Sequence, residues 1–197
     1  NKVMANLGHT VDIKILPWAR ALDMTKNGKA DAIFTAYKNT ERETFLDYSK
    51  NVLVPQIVAL YVLKESDIDY DGDLIKLKDK RIGVVSTISY GKKFDGLRNR
   101  LMVVRAESME ANIKKLMSKR IELIISNIYL GDFMIKKMKL HNEIKKLSPV
   151  VQTVDSFIAF SKRKRLTTLR DKLDAELEKL IANGTYNKIM AEYGIVK

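Results

Sequence analysis

The sequence predicts an α/β protein with two lobes, and the order of its elements is the evidence. Between residues 81 and 147, short apolar runs alternate with segments of helical periodicity, which indicates a mostly parallel sheet covered on both faces. The flanking segments also contain strands and helices, yet each is too short to form a domain alone. Extended stretches near 53–60 and 149–157 then connect the lobes. The predicted division is lobe 1 from residues 1–56 and 153–197 and lobe 2 from residues 57–152.

Lobe 1 is predicted to open on the end of an amphipathic helix that stops at Gly8, followed by a strand, a helix and a second strand. Residues 11–15 alternate apolar and polar side chains, as in a strand with one buried face. Pro17 ends this strand, and a helix runs from Trp18 to a stop at Asn27, before a second apolar strand at residues 30–34. Trp18 therefore lies at the carboxyl end of a strand, the edge where α/β sheets bind ligands, although a core position explains the aromatic equally well.

Arg42 is the most informative charged residue. Thr40 and Glu43 have the spacing of a capping box, so we predict a short helix with Thr40 as its N-cap. Arg42 then lies in the first turn, where a cation opposes the helix dipole at a cost of about 0.3–1 kcal/mol. The same helix end offers N–H groups to an anion, and an arginine adds a bidentate donor for a carboxylate. The pattern alone indicates either such a site or an exposed arginine that tolerates this cost.

The rest of the chain continues the strand–helix alternation. Ser108 is a suitable N-cap for one of the helices, because its hydroxyl accepts a hydrogen bond from the first turn. Strands are predicted at 81–85, 101–104, 122–125, 144–147 and 157–160, and helices at 90–97, 108–118, 129–138, 166–182 and 186–193.

Charge and cysteine content exclude several classes of function. Thirty-six Lys and Arg against 24 Asp and Glu give a formal net charge of +12 in 197 residues without cysteine. Disulfides, thiol catalysis and cysteine-ligated metal centres are therefore excluded. Both signs of charge are interleaved and the basic runs contain no aromatic residues, which favours a solvated surface over a nucleic-acid footprint. We predict no metal, no cofactor and no nucleic-acid partner.

The sequence also lacks the common catalytic signatures. It contains no phosphate-binding glycine motif and no serine nucleophile elbow. His9 follows a helix stop and His141 lies in a lysine-rich loop, where surface histidines are more common than catalytic ones. Acid–base catalysis by carboxylates is left open, but no pair of carboxylates stands out by spacing. We predict that the protein is not an enzyme.

Several segments, taken together and in order, resemble the bacterial extracellular solute-binding proteins of family 3. The resemblance extends over essentially the whole chain, and the ordered combination is far more specific than any single segment. The segments are Leu16-Pro-Trp-Ala-Arg-Ala-Leu, Asn27-Gly-Lys-Ala-Asp-Ala-Ile-Phe, Ala36-Tyr-Lys-Asn-Thr-Glu-Arg-Glu, Phe45-Leu-Asp-Tyr-Ser, Lys80-Arg-Ile-Gly-Val-Val, Ser89-Tyr-Gly, Arg120-Ile-Glu-Leu-Ile-Ile and Asn183-Gly-Thr-Tyr-Asn-Lys-Ile-Met-Ala-Glu-Tyr-Gly.

The resemblance implies a type II periplasmic-binding-protein fold, with two α/β lobes, two hinge strands and a cleft between the lobes. It implies a periplasmic, extracytoplasmic monomer that binds an anionic or zwitterionic solute, such as an amino acid or a related carboxylate. Hinge closure would then present the solute to the permease of an ABC importer. In the family a first strand and loop precede the helix that ends near Gly8, so we expect the N-terminal strand of lobe 1 to be missing before Asn1.

Four residues of lobe 1 match ligand-binding positions of the family. Arg42 matches the arginine that clamps the ligand's α-carboxylate. Tyr37 stands where a backbone group helps to hold that carboxylate, and Thr35 stands near a position that meets the α-amino group. Trp18 matches an aromatic residue that stacks on the ligand side chain. The resemblance therefore favours the functional interpretation of Arg42.

Two residues of lobe 2 also match. Ser89 matches a serine or threonine that contacts the carboxylate, although Thr87 replaces a preceding glycine of the usual pattern. Asn127 stands where the family commonly has an aspartate that pairs with the α-ammonium. A neutral amide forfeits that charge-assisted bond, worth roughly 1.5–3 kcal/mol against about 1 kcal/mol for a neutral one. A carboxylate without an α-amine is therefore a credible ligand.

Three other functions stay open at this stage. The same module serves as the ligand-sensing domain of membrane receptors such as histidine kinases. Residues 193–197 resemble the family's natural stop, and a membrane helix encoded immediately downstream would favour a sensor. Some relatives of the fold are dehydratases or are attached to lytic domains, which would make the chain an enzyme. Nucleic-acid binding through net charge predicts an affinity that falls steeply with salt.

Overall fold

The computed structural model describes residues 1–86 and 88–192. Thr87 and the predicted stop at 193–197 lie outside this part of the chain. The chain divides into two compact units, which we call unit 1 (Asn1–Val54 and Ser156–Lys197) and unit 2 (Pro55–Asp155). No helix within the described residues is long and apolar enough to cross a membrane.

The elements alternate as an α/β sequence should. Unit 1 opens with α1 (Lys2–Asn6), α2 (Trp18–Lys26), β1 (Ala32–Tyr37), α3 (Thr40–Glu43) and β2 (Leu46–Tyr48). The chain continues with β3 (Val54–Leu63), β4 (Ile82–Val85), α4 (Lys92–Asp95), β5 (Val103–Ala106), α5 (Met109–Met117), β6 (Leu123–Asn127), α6 (Ile128–Lys137) and β7 (Ile144–Lys146). It ends with β8 (Gln152–Ser161), α7 (Thr167–Ala182) and α8 (Thr185–Glu192). Short 3₁₀ turns occupy Leu74–Leu77, Arg98–Arg100 and Lys162–Lys164.

Unit 2 contains the parallel sheet that the alternation predicts. Its β4 lies between β5 and β6 and pairs in parallel with both, while β3 pairs antiparallel with β6 and β7. Side chains of β3 alternate between two buried clusters, with Val58 and Leu60 in one and Ala59 and Tyr61 in the other. Both faces of this strand are therefore buried, which explains its nearly continuous apolar sequence.

Unit 1 has a smaller core around β8. Both β1 and β2 pair antiparallel with β8. The buried cluster comprises Ile33, Ala36, Leu46, Tyr48 and Ala159. Side chains of α2 pack against this cluster, so the sheet positions the start of that helix.

The strand predicted at residues 11–15 is wrong. Residues 10–17 form no regular element, and the side chains of Val11, Ile13 and Ile15 are 45%, 44% and 95% exposed. An alternating sequence becomes a strand only where a neighbouring strand completes its hydrogen bonds and covers its apolar side chains. Among the described residues, no strand pairs with this segment.

Candidate functional site

Arg42 lies in α3, and its helix is capped differently from the prediction. The N-cap is Asn39, whose Oδ1 accepts a hydrogen bond from the backbone N–H of Arg42 at 2.8 Å. The predicted N-cap at Thr40 is therefore wrong by one residue. Asparagine is at least as good an N-cap as threonine, and Asn39 has the extended backbone that the position requires. The cap fixes the backbone from which the Arg42 side chain departs.

The Arg42 side chain is a buried cation. The residue is only 7% exposed, and its Nη1 donates to the carbonyl of Tyr37 at 3.1 Å. Its guanidinium carbon lies 5.2 Å from the centre of the Trp18 ring, in cation–π geometry. Within residues 1–86 and 88–192, Arg42 forms no ion pair. The site thus holds a charge that is oriented but not neutralised.

The Tyr37 carbonyl organises this cluster. Besides Arg42, it accepts a hydrogen bond from the Tyr48 hydroxyl at 3.0 Å. Burial raises the pKa of Tyr48 to about 12, against the opposing effect of the Arg42 charge, with Glu43 adding to the rise. The hydroxyl therefore remains a donor at neutral pH, and the carbonyl stays fixed at the end of β1.

Trp18 begins α2 directly after Pro17 and packs on the unit 1 core. One face of its ring is in contact with Arg42. Its indole N–H is buried and has no hydrogen-bond partner within the described part of the chain. A buried N–H normally finds an acceptor, so Trp18 is an exception to that rule. Stacking of Trp18 on a ligand stays a prediction.

Thr35 occupies a strained position two residues before Tyr37. The register of β1 against β8 shifts between Ile33 and Ala36, which marks a bulge. Within it, Thr35 has a φ of 60°, and its hydroxyl donates to the Phe34 carbonyl at 2.7 Å. A β-branched residue in the left-handed region is a genuine outlier, and such outliers concentrate at functional sites.

Ser89 lies in unit 2, where its hydroxyl already has an acceptor. It donates to Oδ2 of Asp95 at 2.5 Å, and the backbone N–H of Tyr90 points to the same oxygen at 3.2 Å. The guanidinium of Arg98 pairs with the other Asp95 oxygen at 3.2 Å. An internal carboxylate therefore occupies the donors that a ligand carboxylate would use.

Asn127 is the last residue of β6 and the N-cap of α6. Its Oδ1 accepts a hydrogen bond from the backbone N–H of Leu130 at 2.8 Å. Because the backbone N–H of Leu130 can only donate, the amide oxygen of Asn127 must face it, and this fixes the orientation of the Asn127 amide. The remaining NH₂ group has no partner within residues 1–86 and 88–192, so Asn127 presents a hydrogen-bond donor.

The structure brings three of the predicted residues into one cluster, namely Trp18, Tyr37 and Arg42. Thr35 lies on β1, the strand that ends at Tyr37. Ser89 and Asn127 lie in unit 2. The pattern analysis missed Asn39, although an asparagine directly before the capping spacing was a readable signal. Tyr48 and Asp95 were also missed, and nothing in the local sequence indicates their partners. The described residues contain no group of three or more acidic or histidine side chains arranged to hold a metal ion.

The chain is similar to one known protein family and to several solved structures. A model of the bacterial extracellular solute-binding proteins, family 3, matches residues 1–195. No curated protein matches the chain in sequence. A mutant of ArgBP from T. maritima superposes with a TM-score of 0.81 at 17% identity, covering 98% of this chain and 81% of that one.

Two further solved structures are similar. An ancestral arginine-binding protein bound to glutamine gives a TM-score of 0.82 at 20% identity, over 98% of this chain and 84% of its own. The probable amino-acid ABC transporter extracellular-binding protein ytmK from Bacillus subtilis gives 0.76 at 22% identity, over 98% and 83%. These structures share the type II periplasmic-binding fold that the sequence predicts.

Proposed function

The chain belongs to the bacterial extracellular solute-binding proteins of family 3, and from this premise we propose that it binds a small carboxylate-bearing solute, an amino acid or a close relative, for delivery to an ABC importer. Membership implies an extracytoplasmic location. Solved structures with the same fold include an arginine-binding protein bound to glutamine and a probable amino-acid transporter component, which supports this class of ligand.

The observation that carries the proposal is the buried charge of Arg42. Removing one partner of a buried ion pair typically costs about 3–5 kcal/mol, because the other charge is left uncompensated. Arg42 is in that condition within the described chain, with one carbonyl, one ring and no carboxylate. A ligand carboxylate supplies the missing charge and accepts two of the remaining N–H groups. We therefore assign Arg42 as the carboxylate anchor.

The backbone around Arg42 supports this assignment. Asn39 fixes the backbone of Arg42, while the Tyr37 carbonyl and the Trp18 ring hold its side chain, so little side-chain entropy remains to be lost on binding. The Trp18 ring lies against the guanidinium and limits its motion further. Thr35 holds its strained backbone next to these groups, which is the pattern of a preorganised site.

Unit 2 supports a ligand with hydrogen-bond acceptors. The Asn127 oxygen caps α6, which leaves its NH₂ group to meet the ligand. Ser89 contributes only if the ligand competes with Asp95 for its hydroxyl. With its NH₂ group as a donor, Asn127 favours a carboxylate or carbonyl over an ammonium group. Among carboxylate-bearing solutes, one without an α-amine is therefore the stronger candidate.

The test of the anchor is the substitution Arg42→Ala. We expect thermal shifts to reveal stabilisation of the wild-type chain by one member of a panel of amino acids, dicarboxylates and polyamines, and we expect Arg42→Ala to abolish it. Arg100→Ala removes an exposed arginine of unit 2 and serves as the matched control. If the best ligand still shifts the melting temperature fully in Arg42→Ala, the anchor is assigned to the wrong residue.

The test of the ligand class is Asn127→Asp. Aspartate caps a helix as well as asparagine does, so α6 should keep its stability. The new carboxylate adds a charge-assisted partner for an ammonium, and we expect affinity for α-amino acids to rise about tenfold relative to their deaminated analogues. Calorimetric titration of matched pairs measures this ratio. An unchanged ratio removes Asn127 from the site without affecting the assignment of Arg42.

A further inference from the structure

The carboxylate of Asp95 is bound inside unit 2 by donors of residues 89–98. Its Oδ2 accepts hydrogen bonds from the Ser89 hydroxyl at 2.5 Å and from the backbone N–H of Tyr90 at 3.2 Å. Its Oδ1 lies 3.2 Å from the guanidinium of Arg98. A hydroxyl, a backbone N–H and an arginine are also the donors that bind a free carboxylate. This segment therefore forms a carboxylate site that the protein fills with its own side chain.

The donors of this site are also held by contacts that do not involve Asp95. The guanidinium of Arg98 lies 5.9 Å and 5.7 Å from the ring centres of Tyr90 and Phe94, and the Phe94 side chain is fully buried. The Gln152 side chain donates a hydrogen bond to the carbonyl of Tyr90. Because these contacts do not depend on the carboxylate, the donors stay in position when Asp95 moves away from them.

The contacts of the Asp95 carboxylate are ones that a competitor can replace. The side chain is 31% exposed, so water reaches it and can take over from the protein donors. Arg98 approaches it with one nitrogen, whereas the stronger bidentate pairs use two. Because Oδ2 faces Ser89 and Oδ1 faces Arg98, the carboxylate can release the serine hydroxyl and still keep its cation.

We propose that Asp95 is an intramolecular competitor of the bound solute and limits the affinity of the protein for carboxylates. This inference rests on the proposed function, in which Ser89 meets a carboxylate of the ligand. Oδ2 of Asp95 gives up the Ser89 hydroxyl and the Tyr90 N–H when the ligand takes them, while Oδ1 stays beside Arg98. The apparent dissociation constant is then the intrinsic one divided by the fraction of molecules in which Asp95 has released these donors.

The test is the neutral isostere Asp95→Asn, titrated calorimetrically beside wild type with the panel of amino acids, dicarboxylates and polyamines. We expect the variant to bind the best solute about tenfold more tightly, because one charge-assisted contact no longer has to be broken in the free protein. Without solute we expect the variant to melt at a lower temperature, since its contacts with Ser89 and Arg98 are weaker. A carboxylate with a purely structural role would lower stability without raising affinity.

Two further variants separate competition from a general effect of charge. Glu122→Gln is the matched control in unit 2, because Glu122 is 32% exposed, pairs with Arg81 at 2.6 Å and accepts the backbone N–H of Arg81 at 2.7 Å. This variant should lose stability and keep the affinity of wild type. Ser89→Ala removes the hydroxyl for which the two carboxylates compete. In that background we expect Asp95→Asn to raise affinity by about threefold or less, because the two residues act through one contact.

The outcomes distinguish this inference from the proposed function. Equal or weaker affinity in Asp95→Asn, with binding still lost in Arg42→Ala, overturns the competitor role and leaves the solute-binding function intact. A gain of the same size in Glu122→Gln, or one that persists in full beside Ser89→Ala, assigns the effect to charge and also overturns the competitor role. If no solute of the panel binds either wild type or Asp95→Asn, the proposed function fails, and the inference fails with it.

Discussion

Each unit holds an arginine against aromatic rings, and the two differ in the source of the counter-charge. Arg98 in unit 2 lies 5.9 Å and 5.7 Å from the ring centres of Tyr90 and Phe94, and it pairs with Asp95 at 3.2 Å. Arg42 in unit 1 has its ring contact but no acidic partner in the described chain. Arg98 has a carboxylate of the protein as its counter-charge and Arg42 has none among the described residues, which is the difference we expect between a structural arginine and the proposed ligand anchor.

The buried clusters of the two units also differ in size. In unit 2 the sheet is covered on both faces by buried clusters, and the side chains of Ser108 and Asn127 cap α5 and α6. Unit 1 has one small cluster and the exposed residues 11–15, and it contains the strained Thr35. Both units contain buried polar atoms without a partner in the described chain, at Trp18 in unit 1 and at Asn112 in unit 2, so the units differ in the extent of their packing and in the counter-charge of the arginine.

Replacing each arginine by methionine, which keeps an unbranched apolar stem, should give the largest contrast. Arg98→Met leaves Asp95 partly buried without its cation, and we expect the free energy of unfolding to fall by about 1–3 kcal/mol. Arg42→Met removes a charge that has no partner, and without ligand we expect stability to stay within about 0.5 kcal/mol of wild type or to rise. Urea denaturation of the ligand-free variants measures both values.

An equal loss of stability in the two variants would contradict the proposed difference between Arg98 and Arg42. It would mean that Arg42 is neutralised by a group of the protein itself, and the argument for a ligand carboxylate would lose its basis. If the free energy of unfolding falls in Arg98→Met alone, the two measurements together identify Arg42 as the arginine that requires an external partner.

The regular part of the fold was predictable from sequence because its signals are local. The alternation from 81 to 147 and the cap at Ser108 depend on spacing within a few residues, and the structure has strands and helices there. Residues 11–15 gave an equally clear signal, yet pairing with a neighbouring strand decides whether an alternating segment forms a strand. Periodicity reports the preference of a segment and not the presence of its partner.

The candidate site was only partly predictable for the same reason. Arg42 and Trp18 were identified by family resemblance, whereas the pattern alone left both open. The contact of Ser89 with Asp95 depends on how the chain turns at 89–95, and no residue spacing announces it. The N-cap of α3 was predicted one residue too late because Asn39 and Thr40 are both good N-caps. The backbone conformation decides which of the two caps the helix, and it cannot be read from the sequence.

The smallest expected effect concerns two residues with positive φ, one in each unit. Thr35 has a φ of 60° in a strand bulge, and Lys119 has a φ of 57° just after α5. Glycine removes the strain at either position and adds entropy to the unfolded chain. We expect Thr35→Gly to stabilise the protein by about 1 kcal/mol, since relief of about 1–3 kcal/mol outweighs the entropy. Lys119→Gly should gain less, roughly 0.5 kcal/mol, because the position after a helix tolerates this conformation.

The two substitutions differ most in what they do to ligand binding. If the strain at Thr35 positions the Tyr37 carbonyl and hence Arg42, Thr35→Gly should weaken ligand binding while it raises the melting temperature. Lys119→Gly should raise the melting temperature and leave affinity unchanged, because it lies after a helix of unit 2 and contacts none of the site residues. Titration of both variants with the best ligand separates these outcomes. Unchanged affinity in Thr35→Gly would show that the bulge is a tolerated irregularity, as the positive φ of Lys119 is expected to be.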